Sequence, residues 1–405
     1  MNLRRPATDA IYLDYNATAP VKPQVIEAIA DALAMTGNPS SVHQFGRAAR
    51  EAVEEARERV AAMIGATAAE IIFTAGGTEA NNTALAGAGR RRLIVSEIEH
   101  PSILRAGETL SQNSSAGGER ELRVLPVDGD GVVSLEALDQ ALGEGGEDAL
   151  VSIMLANNET GVIQPVGEIA TLAHARGALV HCDAVQAPGR IAFGVDSLGV
   201  DMLSLSAHKF GGPKGVGALF LRAGVDLKAL VAGGGQERGW RAGTENVPGI
   251  VGFGTAAQLA AEDLQNAPHV AALRDSVEQR LRAIDPEVRI FSAGAARLPN
   301  TSCISMPGVQ SETQVMGLDL SGVAVSAGSA CSSGKVEPSH VLRALGAPDA
   351  ETGCAIRISF GWASREADVE KLVSAWRAFY AGLSARYTGG VSQSPDGAGA
   401  GAVER

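Results

Sequence analysis

The chain is poor in cysteine, with four among 405 residues, and poor in aromatics, which make up 4%. Its thiols, Cys182, Cys303, Cys331 and Cys354, form no CxxC pair, and a chain of this length needs no disulfide framework. They read as reduced thiols of an intracellular protein. No apolar run reaches the length needed to span a bilayer. The opening stretch "MNLRRPATDAIYLDYN" lacks the apolar core of a signal peptide, so the expected location is cytoplasmic. Positive charge is also scarce, since 34 Lys and Arg stand against 46 Asp and Glu for a net charge of −12. That balance argues against nucleic-acid binding, and the brief "GRRRLIV" (Gly89–Val95) runs straight into a strand pattern.

What the chain has in quantity is glycine, at 49 residues, and a regular alternation of extended and helical patterns. "REAVEEARERVAAMIG" places Val53, Ala56, Val60 and Met63 on one helical face, with Gly65 as its stop. Short β-rich runs follow at "EIIFTAGG", "RLIVSE", "ALVSIMLANN", "ALVHCDAVQ", "VDMLSLSAHK" and "GVGALFLR". Between them lie the helical "TEANNTALAG", "SLEALDQAL" with Ser134 at its cap, and "VGEIATLAHARG" closed by Gly177. Strands apolar on both faces, alternating with helices, predict a mostly parallel α/β sheet covered on both sides. A large domain over residues 16–255 fits this rhythm. Beyond it, "NTSCISMP", "CAIRISFG" and the amphipathic "SREADVEKLVSAWRAFYAGL" predict a smaller α+β C-terminal domain, 256–387, joined by residues 1–15. The Gly/Ser/Ala-rich 388–405 reads as a disordered tail.

Polar residues gather just after the strands: Gly76, Gly77 and Thr78; His100; Asn157, Asn158 and Glu159; Asp183 and Gln186; Ser206 through Lys209. Ligands of open α/β sheets bind outside the carboxyl ends of the strands, so these clusters predict one shared site. A lone lysine such as Lys209 is more often a solvated loop charge, and Gly-Gly-Thr more often a plain helix cap. Together they fit pyridoxal phosphate, which needs a Schiff-base lysine, a carboxylate for its ring nitrogen (Asp183), and a phosphate turn such as "TAGGTEANN" at a helix N-terminus. "GGPKGVG" lacks the GxxxxGK[ST] spacing of a nucleotide loop. A zinc site from Cys331, His340 and Cys354 fails on spacing and is a ligand short.

In order, the chain carries "YLDYNATAPV", "GNPSSVHQFGR", "FTAGGTEANN", "EHPSIL", "SIMLANNETGVIQP", "HCDAVQAPG", "SLSAHKFGGPKGVGAL", "GGGQERGWRAGTENV", "AGSACSSG" and "EPSHVLRALG". With these it resembles the cysteine desulfurases of the nitrogen-fixation and iron–sulfur-cluster type, class-V aminotransferase-like enzymes, over nearly its whole length. The resemblance implies an aminotransferase fold of type I, pyridoxal 5'-phosphate as cofactor, and a homodimer. It implies that Lys209 joins the cofactor, Asp183 pairs with the ring nitrogen, and His100 stacks on the ring. Asn158 and Gln186 would approach the phenolic oxygen, while Gly77, Thr78, Ser206 and His208 would hold the phosphate. Thr244 would reach that phosphate from the partner subunit, and Asn38 with Arg357 would grip the substrate carboxylate. Without the resemblance, Arg357 reads equally well as a strand-edge ion pair, and His43 and His340 read as structural.

Cys331 stands out because a free cysteine is usually buried, whereas this one sits in "SAGSACSSGKVEPSH" among serines, glycines and alanines. The resemblance makes it the nucleophile that takes sulfur from L-cysteine as a persulfide, leaving L-alanine, for delivery to an acceptor such as an iron–sulfur cluster scaffold. The small residues around it would let it travel. Its attack requires the thiolate, so a neighbouring group must set its protonation. Two other readings stay open at this point: an aminotransferase or selenocysteine lyase in which Cys331 is incidental, and a non-catalytic sulfur-carrier or assembly scaffold.

Overall fold

The computed structural model describes residues 9–112, 120–306, 308–328 and 338–388, the last six as backbone. Cys331 and the tail from residue 389 lie outside these described residues. A seven-stranded sheet forms the larger body. From one edge to the other its strands are Ile71–Thr74, Gly217–Leu221, Met202–Ser206, Leu179–Asp183, Ala149–Met154, Arg92–Ser96 and Glu121–Leu125. All run parallel except Gly217–Leu221, which is antiparallel to both neighbours. The apolar-on-both-faces pattern explains the layering. Within one strand, Leu203 and Leu205 enter one core while Met202 enters the core on the opposite face. Val151 and Leu150 divide in the same way, as do Phe220 and Leu219.

Local signals set the helix ends. Gly65 follows the helix Gln44–Ile64 with φ 71°, a left-handed stop. The Ser134 hydroxyl accepts from the Ala137 N–H at 3.2 Å and caps Leu135–Leu142. The strand Glu121–Leu125 was not visible as a buried run, because it lies at the sheet edge with only Leu125 buried.

The second body holds a four-stranded antiparallel sheet in the order Ser326–Ala327, Ala355–Ser359, Thr301–Ser305, Arg289–Ile290. The N-terminal strand Ile11–Tyr12 pairs in parallel with Val323–Ala324. Its core gathers Leu13, Leu273, Val277, Ile304, Ile356, Phe360, Leu372 and the fully buried Trp376. One helix of 38 residues, Val247–Ile284, serves both cores. Its first half gives Ile250, Phe253 and Ala257 to the larger core, and its second half gives Val270, Leu273 and Leu281 to the smaller.

A buried ion pair fastens residues Gln236–Gly239 to the edge of the large sheet. Arg57 meets both Glu237 oxygens, at 2.6 and 2.9 Å, and the Phe73 N–H donates to the same carboxylate at 2.9 Å. Glu237 and Arg238 hold left-handed backbones, φ 45° and 57°, that this grip sustains. Arg57→Ala leaves that carboxylate buried and unpaired, with an expected loss of ~3–5 kcal/mol. Urea unfolding should show a lower midpoint at an unchanged m-value.

Candidate active site

Because the central strands run parallel, their carboxyl ends share one edge, and there the polar clusters meet. A cleft of about 420 Å³ opens at that edge, and its wall includes Gly77, Thr78, His100, Asn158, Asp183, Gln186, Ser206, His208, Lys209 and Arg357. Thus ten positions expected from the sequence are brought together. Two are not. Asn38 is exposed, its side chain accepting from the Ser40 N–H at 2.9 Å, and Thr244 is exposed in a separate hollow beside Glu237 and Arg241.

Lys209 follows the strand Met202–Ser206 in a tight turn, Ala207–Lys209. Its Nζ donates to the carbonyls of Asn16 at 2.7 Å and Ala17 at 3.1 Å. Burial, then the Arg357 and Arg190 charges, bring its pKa down to about 8, against the pull of Asp183 and Asp14. The amine is therefore close to losing its proton at neutral pH.

Asp183 ends its strand with both oxygens occupied: Oδ2 accepts from Asn81 Nδ2 at 2.7 Å and Oδ1 from the Val185 N–H at 3.1 Å. Asn81 Nδ2 also donates to Ser102 Oγ at 2.9 Å, and Ser102 Oγ lies 2.9 Å from His100 Nδ1. The Ser102 N–H donates to that same Nδ1 at 3.1 Å, so the ring proton sits on Nε2. A polar chain thus runs from Asp183 to His100 and sets the tautomer. Desolvation by the surrounding cleft wall, followed by Lys209 and His340, lowers the His100 pKa, while Asp183 opposes.

At the other end of the cleft the helix Gly77–Gly87 points its N-terminus inward, and no side chain caps it. Its first-turn acid, Glu79, is neutralised by Arg241 at 2.9 Å. Ser206 and His208 also line the cleft, and His208 Nδ1 is buried without a hydrogen-bond partner among the described residues. Burial, then Lys209 and Lys214, hold the His208 pKa down at about 4. An uncapped helix start, a hydroxyl and an unpartnered ring nitrogen suit an anion with several acceptor oxygens. Asp183 supplies a carboxylate for a cationic ring nitrogen, and Lys209 lies on the same cleft wall. The residues present therefore fit pyridoxal phosphate.

Glycine makes the cradle possible. A Cβ at Gly217 would lie 2.6 Å from the Leu205 carbonyl oxygen and 2.7 Å from the Gly76 carbonyl carbon, so this strand lets the turn sit directly on the sheet.

Arg357 crosses over from the small sheet. It donates to Asp14 Oδ1 at 2.7 Å and to the Asn158 carbonyl at 3.0 Å, while its Nε is buried and unpartnered. Several residues of the cleft escaped sequence reasoning. Asn16 is fully buried and ties the two bodies together, donating to the Asn158 carbonyl at 3.0 Å and Thr301 Oγ1 at 2.9 Å. Glu159, already in the polar cluster expected from the sequence, also lines the cleft; it accepts from Ser339 Oγ at 2.6 Å, and burial pushes its pKa up to about 7. His340, read as structural, lines the cleft while its Nε2 donates to the Glu99 carbonyl at 3.1 Å. His43 only caps the helix Gln44–Ile64. Asn16 and Asn81 lie within "YLDYNATAPV" and "FTAGGTEANN", which was the signal available.

The family model described as aminotransferase class-V matches residues 11–372. A cysteine desulfurase of Cereibacter sphaeroides is 46% identical over 372 residues, covering 90% of this chain and 94% of that protein. The chain belongs to the class-V aminotransferases, among the cysteine desulfurases. A solved NifS-like protein superposes with a TM-score of 0.85 at 37% identity, over 92% of this chain and 100% of its own. A structure of SspA in complex with cysteine matches with a TM-score of 0.75 at 31% identity, over 86% and 98%. The fold is that of the pyridoxal-phosphate enzymes of this family.

Two outcomes follow from this geometry. Gly217→Ala should push the Gly76–Gly77 turn off the sheet, costing ~1–3 kcal/mol of stability. Dialysed enzyme should then lose its visible cofactor absorbance faster than wild type. The second concerns Lys209, whose folded pKa of about 8 lies below the ordinary 10.5. The unfolded chain binds the extra proton between these values, so stability rises with pH there. Without cofactor, wild type should gain stability relative to Lys209→Met between pH 8 and 10.5, read by thermal melts, and should show no such gain below that window.

Proposed function

We propose that this chain converts L-cysteine to L-alanine and takes the sulfur onto Cys331 as a persulfide, for handing to an acceptor protein such as an iron–sulfur cluster scaffold. The observation that carries this reading is the half-buried Lys209 amine in the same cleft as Asp183 and an uncapped helix N-terminus. Its setting in a chain of the cysteine desulfurase family specifies the substrate. Pyridoxal phosphate, when bound, supplies an electron sink for the charge left by the substrate's α-proton and so loosens the carbon–sulfur bond.

The chain's own residues do the rest. Lys209 Nζ, its proton affinity lowered by burial and two arginines, takes the α-proton. Asp183, held by Asn81 and the Val185 N–H, keeps the ring nitrogen protonated. Gly77, Thr78, Ser206 and His208 would hold the phosphate, and Asn158 and Gln186 would serve the phenolic oxygen. His100 would lie against the ring, with Nε2 as the nitrogen that exchanges protons. Arg357, its Nε buried and unpartnered among the described residues, orients the substrate carboxylate as a rigid fork; Asn38, outside the cleft of this chain, would have to move to join it there. Cys331, as thiolate, bonds to the substrate sulfur as the sulfur–carbon bond breaks; the β-carbon then takes a proton, and Lys209 returns to the α-carbon the one it removed. One sulfur atom moves, giving alanine and Cys331–S–SH.

The active form is a homodimer. Leu33, Met35, Val42, Phe45, Leu230 and Val231 are exposed apolar side chains. Leu230 borders the open hollow that leads to Thr78, Ser206 and His208. A partner docked there would bring its own copy of Thr244 to the phosphate end. The large unit is residues 16–255 and the small unit 256–387, closed by the N-terminal segment. Among the described residues no helix is long and apolar enough to cross a membrane, and we place the enzyme in the cytoplasm.

After exposure to L-cysteine, intact-mass and peptide spectrometry should find one added sulfur on Cys331 and on no other cysteine. Cys331→Ala should keep its visible absorbance, and borohydride should still fix the cofactor to Lys209, yet persulfide and alanine should fall to background. Undiminished alanine and sulfide from Cys331→Ala would sink this reading and favour a lyase.

A further inference from the structure

Arg190 is a buried guanidinium, 9% exposed, whose hydrogen bonds among the described residues go to neutral oxygens. It donates to the backbone carbonyls of Gln186 at 3.1 Å, Tyr15 at 3.3 Å and Lys209 at 3.1 Å, and to the side-chain oxygen of Gln186. The nearby acid Asp263 is engaged elsewhere, with Lys22 at 2.7 Å. Burying a cation without an ion pair is costly, and only a rigid five-donor fork can satisfy that set of acceptors. A lysine at this position would reach fewer of them.

The consequence falls on Gln186. Its oxygen faces Arg190, and its Nε2 donates to the Asn16 carbonyl at 3.0 Å. Rotating the amide by half a turn would set NH₂ against guanidinium and oxygen against carbonyl, two repulsive contacts at once. The amide is therefore locked, and its second N–H is the donor left to face the cleft. The same Asn16 carbonyl accepts from Lys209 Nζ at 2.7 Å. Arg190 thus holds Lys209 from behind by its carbonyl, and orders the acceptor that holds its amine.

We infer that Arg190 is a positioning residue that locks the Gln186 amide in its donor orientation and sets the seat of Lys209. This rests on the roles proposed above for Lys209 and Gln186. The charged groups around the amine are Arg357 and Arg190, which disfavour its proton, and Asp183 and Asp14, which favour it. His100 and His208, also in the cleft, have lowered proton affinities.

Two variants separate charge from geometry: R190M removes both, and R190K keeps charge without the fork. In enzyme stripped of cofactor, the rate at which fluorodinitrobenzene labels Lys209 is followed against pH by peptide mass spectrometry. The acid constant of Lys209 should fall at least threefold in R190M and less in R190K. In the holoenzyme, the pH midpoint of the visible band should rise in both variants, by at least threefold in acid constant, as the amide is unlocked. Wild-type midpoints for both variants in both assays would overturn the inference. Should R190M not fold, the holoenzyme midpoint of R190K decides. Borohydride capture at Lys209 is scored in parallel. Its loss in wild type would defeat the underlying reading, whereas its retention beside unchanged midpoints would defeat only the role of Arg190.

Discussion

The architecture of the cleft depends on keeping one amine in a place where its charge is unwelcome. Lys209 is surrounded by protein, close to two arginines, and held by carbonyl oxygens rather than by a carboxylate. Each of those features takes a separate part of the chain. Arg357 comes from the small sheet, Arg190 from the segment after Asp183, and the carbonyls from the N-terminal stretch at Asn16 and Ala17. None would stay in place alone, since buried cations repel one another and need their donors satisfied. The network of neutral acceptors and the flanking aspartates offset that repulsion. A reactive lysine is the outcome.

Much of the fold was legible because period and punctuation agree. Leu203 and Leu205 alternate with Met202 across the sheet, Ser134 caps its helix, and Gly65 ends another. The cleft was legible for the same reason: parallel strands bring their ends to one edge, so Asp183 and Lys209 had to be neighbours. The edge strand Glu121–Leu125 was missed because half of its surface faces solvent, which erases the apolar signal. Asn16 and Arg190 were missed for a different reason. Their partners lie far along the chain, Thr301 for Asn16 and Tyr15 for Arg190, and no local pattern announces a contact between distant segments. A polar residue with no periodic neighbours looks like a loop residue until its partner is seen.

The positions that stand apart from the cleft, Asn38 and Thr244, illustrate another limit of spacing arguments. Both belong to motifs of the family, yet a single chain leaves each facing outward. Their neighbourhoods carry exposed apolar side chains such as Val42, Phe45 and Leu230. One chain's geometry records only what a residue can reach unaided.

The helix Val247–Ile284 gives the two bodies a common fate. Its ends are anchored in different cores, while the stretch between them, around Glu262 to His269, is largely solvent-facing and includes Pro268. Proline removes one backbone hydrogen bond and loosens the ladder locally. The rod is therefore stiff where it is gripped and most pliable between the grips. Any tilt of the small body relative to the large one concentrates there, and the backbone that carries Arg357 toward Lys209 moves with it. The distance between Arg357 and Lys209 is in this sense a mechanical variable, set by the bend of one helix.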